Sequence, residues 1–175
     1  MRLSQVAIIS VAIGMVVVGH PGLSQATAPS AWILTVELDN NQLLTGGLLH
    51  LNLTLKNVTS TPLKVVDRDE LIDYDVFIKD VHGFPVPHNA KTMELIERRR
   101  NGPVFHSDLI DVEPGSFAKT SIDAKDLFDP LRPGKYTIQV ERIGPLQLQP
   151  GRFLTPKGIL SNVITFQVLS QAPQG

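Results

Sequence analysis

Apolar and polar residues alternate along most of the chain. Trp32, Leu34, Val36 and Leu38 interleave with Ile33, Thr35 and Glu37. Leu49, Leu51, Leu53 and Leu55 interleave with His50, Asn52, Thr54 and Lys56. A period of two puts each set on one face of a strand, whereas a helix would scatter the leucines around its circumference. The same period recurs in Tyr74, Val76 and Ile78, in Tyr136, Ile138 and Val140, and in Ile164, Phe166 and Val168. Shorter runs at 63–66, 109–112 and 117–122 read as further strands. Segment 84–87 reads as a short edge strand, because its two prolines cannot donate to a central ladder.

Turn chemistry separates these runs. Asn40-Asn41, Gly46-Gly47, the 57–62 segment and Glu113-Pro114-Gly115-Ser116 mark reversals, and Asp80-Val81-His82-Gly83 predicts a hairpin turn with Gly83 at positive φ. Met93 and Ile96 give 89–101 a helical flavour, with a long loop as the alternative, and 123–129 reads as a short helical corner. Segment 144–158, rich in Pro and Gly, reads as a long loop or an irregular hairpin. No fixed-period repeat is present. About seven strands, few helices and no βαβ alternation predict an all-β fold: an immunoglobulin-like antiparallel β-sandwich. Tyr136 follows the Pro133-Gly134 turn at a strand start, the place of a tyrosine corner, whose hydroxyl bonds back to upstream backbone.

The N-terminus has a different pattern. Arg2, an apolar run from Val6 to Val18 relieved only by Ser10 and Gly14, the breaker His20-Pro21-Gly22 and the small residues Ser24 and Ala26 form the three-part layout of a secretory signal peptide cut before Thr27. The run is shorter than the ~20 residues that span a bilayer. The expected organisation is a signal peptide at 1–26, the sandwich domain at 27–170 and a flexible tail at 171–175. The expected compartment is periplasmic or secreted, with no stable membrane anchor after cleavage. The 175 residues include no Cys, which excludes disulfides, thiol nucleophiles and a lipoprotein anchor. Sixteen Lys and Arg against 17 Asp and Glu argue against a nucleic-acid binder.

Leu53-Thr54-Leu55-Lys56-Asn57-Val58-Thr59-Ser60, then 74–83, then the Pro114-Gly115 turn and the Pro133–Tyr136 strand start, resemble the bacterial immunoglobulin-like proteins of the intracellular proteinase inhibitor family. The resemblance covers residues 48–141 and implies the sandwich fold and a protease-inhibitor role. The signal peptide departs from an intracellular protein. Pro133 to Val140 and Ser161 to Thr165 are also similar to uncharacterised exported bacterial proteins, which implies a fold and a compartment but no activity.

Catalytic chemistry finds little purchase. His50, His82, His88 and His106 show no HExxH spacing, and no Gly-x-Ser-x-Gly elbow, Walker loop or dinucleotide loop occurs. No catalytic residue, cofactor or metal ligand is assigned, and the chain is expected not to be an enzyme. The acidic run Asp67, Asp69, Glu70, Asp73, Asp75 has the ligand chemistry of a calcium loop without EF-hand spacing. Arg98-Arg99-Arg100 reads as an exposed basic run. Asn52-Leu53-Thr54 and Asn57-Val58-Thr59 are glycosylation sequons.

The 144–158 connection joins the last two long strands, the place of a recognition loop in an immunoglobulin-like domain. Leu146, Leu148, Phe153 and Leu154 with Arg142 and Arg152 give it apolar anchors rimmed by guanidiniums, which suits a protein partner. The functional expectation is an exported, non-catalytic interaction module that binds another protein through its loops. The alternatives are a protease inhibitor, a small ligand- or calcium-binding protein, and an enzyme with an unrecognised site.

Overall fold

The structure is a computed structural model and describes residues 30–68, 70–101, 108–154 and 158–170. The signal-peptide segment, the tail at 171–175 and His106 lie outside the described residues.

The alternating runs become strands with one buried face. β1 (Trp32–Leu38) pairs antiparallel with β3 (His50–Asn57), and β3 pairs with β8 (Phe117–Asp123), forming a three-stranded sheet. Trp32, Leu34 and Val36 on β1 and Leu51, Leu53 and Leu55 on β3 are all buried. The registers Leu34↔Leu55 and Val36↔Leu53 bring those faces together. A one-residue slip would expose every one of them, which is why this register is fixed.

The second sheet runs β2 (Gln42–Leu44), β13 (Ile164–Leu169), β9 (Gly134–Arg142), β5 (Tyr74–Asp80) and β6 (Pro85–Val86), with β12 (Ile159–Leu160) beside β9. Val76, Ile78, Ile138, Val140, Phe166 and Val168 face the common core. β2 pairs parallel to β13, so the chain leaves the first sheet after β1 and joins the opposite edge of the second. This sheet switch and the antiparallel pairing of β5, β9 and β13 make the fold an immunoglobulin-like sandwich.

A third sheet runs β11 (Arg152–Leu154), β10 (Leu146–Gln149), β4 (Leu63–Asp67) and β7 (Asp108–Val112). Its Leu63, Val65, Val112 and Leu146 enter the same core. The alternatives left open for 144–158 therefore resolve, over its described residues, as the β10–β11 hairpin with a register irregularity between Gln147 and Gln149. Among the described residues, thirteen strand segments replace the expected seven or so. The added pieces, β2 and β10–β12, are two to four residues long, too short to show a period.

The helical flavour of 89–101 becomes α2 (Ala90–Asn101). Asn89 caps it, its Oδ1 accepting from Thr92 N–H at 2.8 Å. A one-turn α1 (Glu70–Asp73) and a 3-10 turn (Lys125–Leu127) complete the described elements.

Polar side chains close the seams. Asn162 accepts from Val36 N–H at 2.8 Å and donates to Val36 O at 3.1 Å, so its amide substitutes for a strand neighbour at the β1 edge. Asn57, fully buried, donates to Thr61 O at 2.8 Å and Val112 O at 2.9 Å while its Oδ1 accepts from Thr59. That Asn57 sequon is closed in the folded chain, because both amide hydrogens are taken. Asn52, by contrast, stands on the exposed face of β3. Tyr136 Oη donates to Arg132 O at 2.9 Å, four residues upstream, and its ring stacks on Phe166 at 5.6 Å.

Candidate interaction surface

The residues singled out for a recognition loop split between core and surface. Arg142 is 1% exposed and Leu146 is wholly buried, so neither is available to a partner. Leu148 is half-buried against the core, Arg152 and Phe153 are exposed, and the Leu154 side chain lies outside the described set. Leu146, expected as an apolar anchor of a loop, instead lies on β10 paired with β4, opposite Val65. Gln147 fastens the hairpin: its carbonyl accepts from Trp32 Nε1 and its Oε1 accepts from Lys64 N–H, both at 2.8 Å.

Arg142 has a different task. Its Nη2 donates to Val66 O at 2.6 Å and lies 3.4 Å from Asp73 Oδ2, and its guanidinium sits 4.6 Å from the Tyr74 ring centroid. Asp73, wholly buried, also accepts from Arg68 N–H at 3.0 Å and from Arg68 Nε at 2.7 Å. Two buried charges survive here because each has an opposite charge and hydrogen bonds in contact. Burial pushes the Tyr74 hydroxyl above its ordinary value, with the Arg142 guanidinium pulling the other way. The backbone closes over the cluster as Ile143 and Gly144 N–H both donate to Asp73 O, at 2.8 and 3.0 Å. A Cβ on Gly144 would lie 2.3 Å from Asp73 Oδ1, so only glycine fits.

Asp73 is thereby withdrawn from the acidic run as a free carboxylate. Asp73 turns inward onto two arginines, Arg68 is only 18% exposed on its side chain, and Asp69 lies outside the described residues. Among the described residues, no group of three or more His, Cys, Asp or Glu is placed to hold a metal ion. His82 is exposed on the β5–β6 turn, and His88 packs on Phe128 with ring centroids 4.6 Å apart.

Strand directions decide which loops share an end. β1, β5, β8 and β13 finish at the end where β3 and β9 begin. That end gathers the 39–49 segment, the 81–84 turn and the 124–133 corner, whereas Arg142 and the start of β10 lie at the other. At this loop-rich end a tight turn runs from Leu44 to Gly47. Gly47 N–H donates to Leu44 O at 2.7 Å, and Gly46 takes φ +75°. The turn holds Leu44 and Leu48 in solvent, 53% and 63% exposed. A cavity of about 470 Å³ is walled by Leu43, Leu49, Phe128 and Leu131, with Lys91 and Lys125 also lining it. Another of about 620 Å³ shares Leu43, Leu44 and Gly47 with the first and is also lined by Asp39, His50 and Asp123. Both volumes fall in the range of binding pockets. Val81 and Phe84, each 68% exposed, stand on the β5–β6 turn at the same end. Asp80 Oδ1 fixes that turn by accepting from His82 and Phe84 N–H, both at 2.9 Å.

The leucine ridge escaped the sequence reading because Gly46-Gly47 registered only as a turn. The signal was present: two leucines flank a glycine pair, outside any alternating run.

Comparison with known proteins returns folds and no family. No family model and no curated protein matches the chain, so the resemblance to the proteinase inhibitor family has no counterpart there. The C-terminal domain of wzt is similar with a TM-score of 0.45 at 12% identity, covering 82% of this chain and 76% of that one. The CARDB domain of the PF1109 protein from Pyrococcus furiosus, solved with di-metal ions, gives 0.39 at 8% identity over 81% and 96%. A β-glucosidase from Listeria innocua gives 0.39 at 14% identity, where the match spans 80% of this chain but only 16% of the enzyme.

Proposed function

We propose that this chain is an exported, non-catalytic interaction module that binds another protein through the loop-rich end of its sandwich. The observation that supports this is the leucine ridge: two large apolar side chains held in water by a tight turn, with two cavities lined by its residues. Exposed apolar side chains beside a concave surface mark contact sites, since covering them removes apolar area from water. A preformed turn also limits the ordering entropy that binding costs. Lys91 and Lys125 line the smaller cavity, where Asp129 is the one carboxylate in the described lining. That charge balance favours a partner segment with an apolar anchor next to carboxylates. In this reading the N-terminal segment is the export signal, and the partner resides in the periplasm or outside the cell. Arg152 and Phe153 at the other end form the smaller, competing surface.

The test uses three forms of the chain as bait in extract of its own cell envelope: wild type, Leu44→Asp with Leu48→Asp, and Arg152→Asp with Phe153→Asp. The expected result is a stoichiometric partner that binds the wild type and the hairpin variant and is lost from the leucine variant. Retention by the leucine variant with loss from the hairpin variant would return the binding site to the β10–β11 hairpin. Absence of any stoichiometric partner for all three baits would sink the interaction reading.

A further inference from the structure

Each sheet edge exposes backbone groups to any strand that approaches, and three edges here are shielded. The β1 edge is capped by the Asn162 amide at Val36. β6 is two residues long and begins with proline. β7 carries Asp108 and Asp111, which would meet like charges on a second copy. β8 has none of these protections.

β8 is seven residues long, Phe117–Asp123, and lies at the edge of the three-stranded sheet. Asn57 N–H donates to Ser116 O and Ala124 N–H donates to Leu49 O. Hydrogen-bonded pairs alternate along an antiparallel ladder, so 118, 120 and 122 exchange bonds with β3. The N–H and C=O of Phe117, Lys119, Ser121 and Asp123 therefore point away from β3, into the open edge. Among the described residues no backbone hydrogen bond engages them. Their side chains stand on the exposed outer face.

We propose that β8 is a homodimerisation edge, where two copies of this chain pair antiparallel about a two-fold axis through Ser121. This register sets Ser121 opposite itself and Lys119 opposite Asp123 of the second copy, twice by symmetry. The charges match: among the described residues Asp123 has no ion pair and accepts only a long 3.5 Å contact from Lys125 N–H. Lys119 lies over the Phe117 ring at 5.1 Å, its ammonium still on the exposed face. Three hydrogen-bonded residue pairs exchange about six main-chain hydrogen bonds, and the two three-stranded sheets become one. A two-fold contact is self-complementary, as a single edge bearing both signs allows. Sliding the axis by one residue to Thr120 sets Lys119 against Ser121 and Phe117 against Asp123, and both ion pairs are lost.

The experiment is sedimentation velocity on the full chain, expressed with its own N-terminal segment and purified in the form the host leaves. Four forms are compared: wild type, Lys119→Asp, Asp123→Lys, and the double charge swap. The expected result is a reversible dimer whose Kd rises at least about tenfold in each single variant, where like charges oppose, and returns toward wild type in the swap. A second readout uses the absence of native cysteine. Ser121→Cys should cross-link to itself with a short bis-maleimide, and Thr35→Cys, on the outer face of β1, should not. A wild type that stays monomeric at all concentrations overturns the proposal. So does a dimer indifferent to all three charge variants, or one that cross-links equally through Thr35→Cys.

Discussion

Asp73 shows how one side chain changes meaning between sequence and structure. In the sequence it is one of five acidic residues in nine positions, a pattern that invites a cation. In the fold it is wholly buried between Arg68 and Arg142. Replacing one member of a buried pair strands the other charge in low dielectric, and that loss exceeds the net worth of the pair. Asp73→Asn is therefore expected to cost about 3–5 kcal/mol, because Arg142 cannot reach water from its 1% exposure. Urea unfolding of the two proteins measures it, and an unchanged midpoint would mean that the cluster contributes nothing. Arg142 is the same lesson from the cationic side. A guanidinium next to a Gly-Pro turn reads as a rim contact, and nothing local reveals a buried carboxylate 69 positions upstream.

At the scale of elements, long strands were legible and short ones were not. Three or four apolar residues in alternation suffice to define a face, so β1, β3, β5, β9 and β13 could be read directly, and the Gly83 hairpin follows from turn chemistry. β10 and β11 took shape through Trp32, Lys64 and Val65, partners far away in the chain. The same cause moved the expected binding loop: half of what looked like loop is a hairpin docked on the core. Gly144 is the hinge of that docking. Its substitution by Ala drives a methyl group into Asp73, and overpacking of this kind costs about 1–3 kcal/mol. The expected outcome for Gly144→Ala is a lower unfolding midpoint. A midpoint equal to wild type would show that the Asp73 carboxylate moves aside freely.

For the molecule as a whole, the Asp73 cluster ties α1, β4, β5 and β9 together, so its chemistry should appear in global stability. Tyr74 carries the titration. Its folded-state hydroxyl is held above the unfolded value of about 10, chiefly by burial, so the folded chain retains the proton longer than the unfolded chain. The stabilisation is therefore complete below pH about 10 and lost as pH rises through the folded-state value. Tyr74→Phe removes this component. Plotted against pH, the stability difference between wild type and Tyr74→Phe is expected to be flat below pH about 10 and to shrink as pH rises from there through the folded-state value. A difference that is constant through the alkaline range would assign the shift elsewhere. The molecule's two ends also differ in kind. One is closed by the ion cluster and the hairpin, and the other presents leucines and cavities.

By itself the sequence determined the all-β class, the two faces of the long strands, the hairpin and Pro-Gly turns, and the place of Tyr136 before its strand. These are local properties: a period of two needs only neighbouring residues, and a positive φ needs only a glycine. Tertiary structure alone decided which charges are buried, which apolar residues are left in water, and which sheet edge stays open. Those outcomes depend on residues that meet across the core from distant positions. A leucine inside and a leucine on a ridge are the same letter until the fold assigns its neighbours.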